Sequence, residues 1–522
     1  MLFSLLGTVN PLLSIILPAL FNAAKYRYFC LLKYSQPLSV YKNLFKQTAI
    51  YGIATVVPRI FSFVLTPLYT AVLAENAYGT TSLVFAGLAF FNVILAYGME
   101  TAFFRSYNSE DKKSVISTST ISLFWSSIAF LVVALIGRNF LAEAGGIDAE
   151  YVTYTIWTLV LDALVIIPFS KLRVQGRPMM YAALKIGNVG VYLFLNLFFL
   201  LWLKDLAKSG GFWAAIYIPD FQVGYIFISG LIASLSTFIA LLPHYFKTDW
   251  HFDKALWKRM MKYSMPVLVA GIAFIINETF DRFFLEHLLP ESIAKSEIGI
   301  YSACYKLAVF MTLFATAFRL GIEPFFFSHA KNDNAPQTYA TITKYFVIFG
   351  SVILLGVVVF ADVLKLLMLQ NEVYWQGMKV VPLIILANFF LGIYSNLSVW
   401  YKLSDKTKIG ANISIVGAVI TIALNFILIP YISYMGSAIA TIAAYGTMMV
   451  ISYYLGNKYY PIPYDMKKIC LYLGLSIGLS CLSFYVDILR ETYIFGIVSL
   501  IVFMAIVYRG EKETLQKILR RK

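Results

Sequence analysis

Charge is scarce in this 522-residue chain: only 13% of its residues are Asp, Glu, Lys or Arg, against about 25% in a soluble globular protein. That shortage excludes a soluble enzyme, a coiled coil and a disordered chain. Cysteine is also rare. The four are Cys30, Cys304, Cys470 and Cys481, and none forms a C-x-x-C pair. Cys470 and Cys481 fall on one expected helix, roughly 16 Å apart at 1.5 Å per residue, too far to bridge. No disulfide and no zinc site is expected. The four histidines, His244, His251, His287 and His329, form no ligand pair at i, i+4. No P-loop is present, so the chain is expected to hydrolyse no nucleotide, and no cofactor is expected.

Apolar residues are abundant instead: 60% hydrophobic and 17% aromatic. A membrane helix needs about 20 apolar residues. After residue 45 such runs recur at 47–73, 80–104, 114–137, 151–170, 178–203, 221–246, 261–287, 299–327, 339–361, 376–401, 408–429, 434–456, 467–486 and 492–508. An outer-membrane barrel would show alternating segments of about 10 residues. The expected fold is therefore an all-α polytopic membrane protein of about fourteen transmembrane helices.

The net charge of +15 fits Lys and Arg crowding the cytoplasmic loops. A nucleic-acid partner would need a basic soluble module, and none is present. With the first helix starting inside, the inner loops carry Arg105, Lys112, Lys113, Lys171, Arg173, Arg177, Lys247, Lys254, Lys258 and Arg259, among others. The outer loops collect acids, such as Glu75, Glu143, Asp148, Glu150, Glu286 and Glu291. Both ends of the fourteen-helix unit are expected in the cytoplasm. Residues 1–24 are a further apolar run without the charged n-region and cleavage site of a secretory signal. Three readings stay open: an extra helix with Met1 outside, a segment lying along the membrane surface, or translated sequence upstream of the true start.

The chain reads as a duplication. Gly98-Met-Glu100 near the end of the second helix matches Gly321-Ile-Glu323 near the end of the eighth. Tyr78-Gly79 and Ser82 match Ile298-Gly299 and Ser302. A second offset aligns Arg173 with Lys402, Arg177 with Lys406 and Asn196 with Asn425. Six helices is an even number, so the halves keep one orientation, the parallel repeat of many carriers. The expected organisation is an N-terminal extension over 1–45, an N-lobe over 46–246, a C-lobe over 259–456, an extra helix pair over 466–508 and a basic cytoplasmic tail over 509–522.

Ionisable groups inside a membrane are costly and mark pathways. The candidates for an anionic headgroup are Arg59, Lys185, Arg282, Lys306 and Arg319. Arg suits phosphate because its planar fork makes two charge-assisted bonds. Asp162, Glu278, Asp281 and Glu323 are candidates for ion coupling or for structural pairing. Glu278 with Arg282 and Arg319 with Glu323 are spaced i, i+4 and fit pairs on one helix face; Arg59 with Asp162 is a cross-helix alternative. Lys185 and Lys306 could equally snorkel.

Three stretches carry a family resemblance. They are Asn277-Glu-Thr-Phe-Asp281-Arg282, Ile298-Gly299-Ile-Tyr301-Ser302 through Lys306, and Arg319-Leu-Gly-Ile-Glu323-Pro324. Together with Asn425 through Pro430 and Gly436-Ser-Ala438, they resemble the oligosaccharide flippases of bacterial surface-polysaccharide assembly. Those flippases belong to the multidrug/oligosaccharidyl-lipid/polysaccharide exporter superfamily, and the resemblance covers roughly 42–508. It implies a non-enzymatic flippase of the bacterial cytoplasmic membrane. Such a protein moves polyprenyl-pyrophosphate-linked repeat units between leaflets, in contact with membrane lipid, a polysaccharide polymerase and glycosyltransferases. Helices 1, 2, 7 and 8 would line its cleft. The alternatives are a multidrug/cation antiporter of the same superfamily, a flippase of lipid-linked peptidoglycan precursors, and a non-transporting scaffold of a polysaccharide synthase complex.

Overall fold

The computed structural model describes residues 52, 54, 56–58, 60–61, 63–329, 334–404, 406–491 and 493–520. No strand occurs among them. Thirteen helices of the described residues are long and apolar enough to cross a membrane. They are α2 (Glu75–Tyr107), α3 (Lys112–Ile136), α4 (Ala149–Val174), α5 (Pro178–Ala207), α6 (Gln222–Phe246), α7 (Lys254–Leu288), α8 (Glu291–Glu323), α9 (Ala335–Val359), α10 (Glu372–Leu403), α11 (Thr407–Ile432), α12 (Tyr434–Tyr459), α13 (Met466–Tyr485) and α14 (Ile494–Lys512). The apolar helix α1 (Val56–Val72) precedes them and brings the bundle to the expected fourteen. The chain is a multi-pass membrane protein.

Two local departures have physical causes. The connection expected over 204–220 is partly helical. α5 runs on through a π turn, Phe198–Trp202, to Ala207, and a short helix Phe212–Ile216 follows. Phe199 of that turn stacks on Tyr225 of α6 at 5.1 Å. The tail expected after 508 instead continues the last helix to Arg520. Glu511 fixes it there: its side chain is 1% exposed and pairs with Lys344 of α9 at 2.6 Å and with Lys468 of α13 at 3.0 Å.

The packing plan repeats six helices on. In the first half α2 and α3 pack on α4, α4 packs on α6, and α5 packs on α6. In the second half α8 and α9 pack on α10, α10 packs on α12, and α11 packs on α12. The halves meet along α2, which lies against α7 and α8. α13 and α14 pack on α9 and on each other. At the seam α2 breaks at Tyr97 and Gly98, both left-handed. A Cβ on Gly98 would come within 2.6 Å of the Ser264 carbonyl of α7, so the break depends on glycine.

Candidate substrate cavity

A cavity of about 410 Å³ lies between α1, α2, α5, α7 and α8. α1 contributes Leu65, Thr66 and Tyr69; α2 contributes Tyr78, Thr81, Ser82, Phe85 and Ala86. α7 contributes Glu278, Thr279 and Arg282; α8 contributes Ser302, Tyr305 and Lys306; Tyr192 comes from α5. The expectation that helices 1, 2, 7 and 8 line the cleft matches these walls, with α5 added. All of these positions except Tyr192 fall in the part of their helices nearer the acidic end of the bundle, where Glu75, Leu288 and Glu291 stand.

At the acidic end α2 and α8 meet backbone to backbone. A Cβ on Gly79 would overlap the Lys295 carbonyl oxygen, and a Cβ on Gly299 would overlap that of Glu75. Each glycine thus faces the carbonyl four residues before the other. Both members of this reciprocal contact are the positions that the repeat aligns. It is the self-complementary geometry of an isologous two-fold interface, here inside one chain.

The charged wall comes from α7 and α8. Arg282 Nη1 donates to Asp281 Oδ1 at 2.7 Å and to the Glu278 carbonyl at 3.2 Å. Asp281 is buried, and its other oxygen accepts from Tyr301 at 2.6 Å. The Arg282 guanidinium lies 5.0 Å from the Tyr305 ring centroid, a cation–π arrangement. Glu278 Oε2 accepts from Tyr445 of α12 at 3.1 Å. Beside the i, i+4 spacing of Glu278 and Arg282, the structure adds Arg282–Asp281, and two tyrosines on other helices hold the two acids. Lys306 lies in the same wall, and none of the ion pairs of the described residues includes it. Ser302 Oγ is buried there with no hydrogen-bond partner among the described residues, so the wall presents a cation, a partly compensated guanidinium, two engaged carboxylates and a hydroxyl.

The other candidate residues do not converge here. Arg59 lies outside the described residues, and its proposed pairing with Asp162 with it. Asp162 accepts from Ser234 of α6 at 2.7 Å. Lys185 stands over the Phe169 ring at 4.5 Å, away from the cavity. Arg319 is exposed on α8, thirteen residues and roughly 20 Å beyond Lys306. Glu323 pairs with Lys402 of α10 at 2.7 Å rather than with Arg319. Its repeat mate Glu100 pairs with Arg173 of α4 at 2.9 Å, so the aligned residues form equivalent ion pairs. Sequence reasoning missed the tyrosines of the wall. Tyr78 and Tyr301 stand in the repeat and family stretches beside Gly79 and Gly299, but neither stretch marks them as hydrogen-bond or ring partners of the charged wall.

The model of a family described as polysaccharide biosynthesis protein matches residues 44–319. No curated protein matches the chain. Among solved structures, a lipid II flippase MurJ in an inward closed conformation matches with a TM-score of 0.69 at 15% identity, over 88% of this chain and 99% of that one. An inward-facing multidrug resistance MATE family transporter of the MOP superfamily matches with a TM-score of 0.61 at 12% identity, over 78% and 93%. A MOP superfamily transporter from Pyrococcus furiosus, described as having a binding pocket of reverse polarity, matches with a TM-score of 0.54 at 14% identity, over 82% and 96%. At these identities the likeness is one of fold.

Proposed function

This chain belongs to the polysaccharide biosynthesis protein family, and we propose that it is an alternating-access flippase for polyprenyl-pyrophosphate-linked oligosaccharide repeat units. The observation that carries the reading is the cavity wall of Arg282 and Lys306 beneath the Gly79–Gly299 contact. The wall holds two cations and two carboxylates, but both acids are engaged, Asp281 by Arg282 and Tyr301 and Glu278 by Tyr445, which leaves Lys306 and the second edge of Arg282 to a diphosphate rather than to a cationic drug. The headgroup enters from the basic end, which is the cytoplasmic end by the charge rule, and the polyprenyl tail stays in lipid. Parting of α2 from α8 then opens the opposite end. Arg59 on α1 and Arg319 on α8 are further cations for the same headgroup along its path. The membrane is the bacterial cytoplasmic membrane, and the upstream glycosyltransferases and downstream polymerase are the partners of such a step.

A second reading is favoured by the likeness to a lipid II flippase: a lipid-linked peptidoglycan precursor carries the same diphosphate. The two separate by which lipid-linked sugar is flipped in proteoliposomes. Lys306→Gln should slow flipping of the polyprenyl-pyrophosphate oligosaccharide about tenfold or more, since a charge-assisted bond in a buried site is lost. Lys306→Arg should retain part. Arg59→Ala should abolish flipping while the protein still inserts; if Arg59 only pairs with Asp162, Arg59→Ala with Asp162→Ala should recover it. Unchanged flipping by Lys306→Gln and Arg59→Ala at normal protein level would refute the anion cavity.

A further inference from the structure

At the basic end, three cations, Lys171, Arg177 and Lys247, gather with the imidazole of His244 where α4, α5 and α6 meet. A recess of about 10 Å³ between α3, α4 and α6 is lined by Lys171 and His244, with the hydroxyl residues Thr120, Tyr245 and Thr248. Arg177 and Lys247 are exposed beside it, and their charges act on both Lys171 and His244. None of the ion pairs of the described residues includes any of the four. The neighbouring Arg173, by contrast, has Glu100 at 2.9 Å. Like charges so placed repel, and no ion pair among the described residues offsets them.

The second half of the chain resolves the same corner differently. The offset that aligns Arg173 with Lys402 carries Lys171 to Trp400 and Arg177 to Lys406. Trp400 is 1% exposed and fills the space left by Gly456 of α12, where a Cβ would lie 2.8 Å from its ring. It stacks on Tyr459, and Lys406 sits 3.9 Å from the centroid of that tyrosine. One copy of the corner is thus closed by packed aromatics with its cation on a ring. The other copy keeps a recess and gathers positive charge.

We propose that the corner formed by Lys171, Arg177, His244 and Lys247 binds the phosphate headgroup of an anionic membrane lipid. The recess is too small and too apolar for a phosphate oxygen, and Tyr245 and Thr248 already donate to the Leu164 and His244 carbonyls, so the headgroup lies over its mouth, against Lys171 and between Arg177 and Lys247. Basic pockets between membrane helices on the cytoplasmic side are suited to such headgroups. The source is a lipid rather than free phosphate because apolar surface flanks the cations. Met179 is 66% exposed and Phe246 is 81% exposed, each next to the cationic stretch and placed for an acyl chain. The site is separate from the transport cavity.

The test uses the full chain in nanodiscs of phosphatidylcholine with increasing phosphatidylglycerol. Retained phosphatidylglycerol is counted by native mass spectrometry, and the thermal midpoint is read in parallel. Lys171→Gln with Lys247→Gln should bind phosphatidylglycerol roughly 30-fold more weakly. The matched variant Lys406→Gln should bind as the parent does. In phosphatidylcholine alone the double variant should unfold no earlier than the parent, since only repulsion is removed, which keeps loss of binding distinct from loss of folding. Equal phosphatidylglycerol binding by parent and double variant would overturn the site. Stabilisation of the detergent-solubilised parent by inorganic phosphate as strong as that by phosphatidylglycerol would overturn the lipid assignment.

Discussion

Asp362, on the segment after α9, takes both oxygens into a fork with Arg490 at 2.7 Å each and also meets Lys365 at 3.0 Å. The Arg490 hydrogen bonds, then Lys365, hold its carboxyl below the usual carboxylate range. A depressed acid stabilises the fold above its unfolded value, near pH 4, and that contribution is lost as the pH falls through the folded value. The thermal midpoint of the purified protein should therefore drop below about pH 4, and Asp362→Asn should remove this part of the acid dependence. Lowering the midpoint at neutral pH without changing the acid slope would exclude the mechanism. The same residue-scale chemistry marks the limit of what the sequence makes legible. It places Glu278, Asp281, Arg282 and Lys306 on α7 and α8, because a charge inside an apolar run stands out. It leaves their partners hidden: Tyr301 and Tyr445, which fix Asp281 and Glu278, come from other helices. Spacing along one helix brings Arg282 to Glu278; it does not show that Asp281 also takes Arg282 at 2.7 Å.

At the scale of the helix, apolar run length makes the number of spans legible, and loop charge gives an order to their ends. The π turn of α5 and the extension of α14 to Arg520 are set by contacts with α6, α9 and α13, which no single run encodes. The contact of α2 with α8 is partly legible, since the repeat aligns Gly79 with Gly299 but does not say that they touch. Their mutual placement makes a sharp prediction. Gly79→Ala and Gly299→Ala should each destabilise the resting conformation by about 1–3 kcal/mol, because each new Cβ meets a rigid carbonyl. The double variant should cost clearly less than the sum, because one substitution already separates the backbones for the other. Thermal unfolding of the four proteins measures this, and strict additivity would show that the two glycines do not share one contact.

At the scale of the molecule, the repeated helix contacts and the aligned ion pairs Glu100–Arg173 and Glu323–Lys402 support the duplication that the sequence suggests, with α2 lying against α7 and α8. The α2–α8 backbone contact stands at the acidic end of the cavity, so accessibility reports whether it acts as a seal. Cysteines at Lys112, Lys258 and Lys406 should be labelled by a membrane-impermeant maleimide from the cytoplasmic side, and those at Glu75, Glu143 and Glu291 from the opposite side. That fixes orientation. A cysteine at Ser82, which lines the cavity, then reads the cycle, in a background whose exposed Cys470 and Cys481 are serine. In the parent it should react from the cytoplasmic side alone. Adding Gly79→Leu should make it reactive from the outside, because a side chain that overlaps the Lys295 carbonyl holds α2 off α8. Flipping should fall in the same variant, since a cavity open to both sides, or only outward, no longer alternates. Reaction of the Ser82 cysteine from outside in the parent would mean that the Gly79–Gly299 contact is not a seal, and labelling at Lys258 and Glu143 from one side would overturn the topology on which the direction of transport rests.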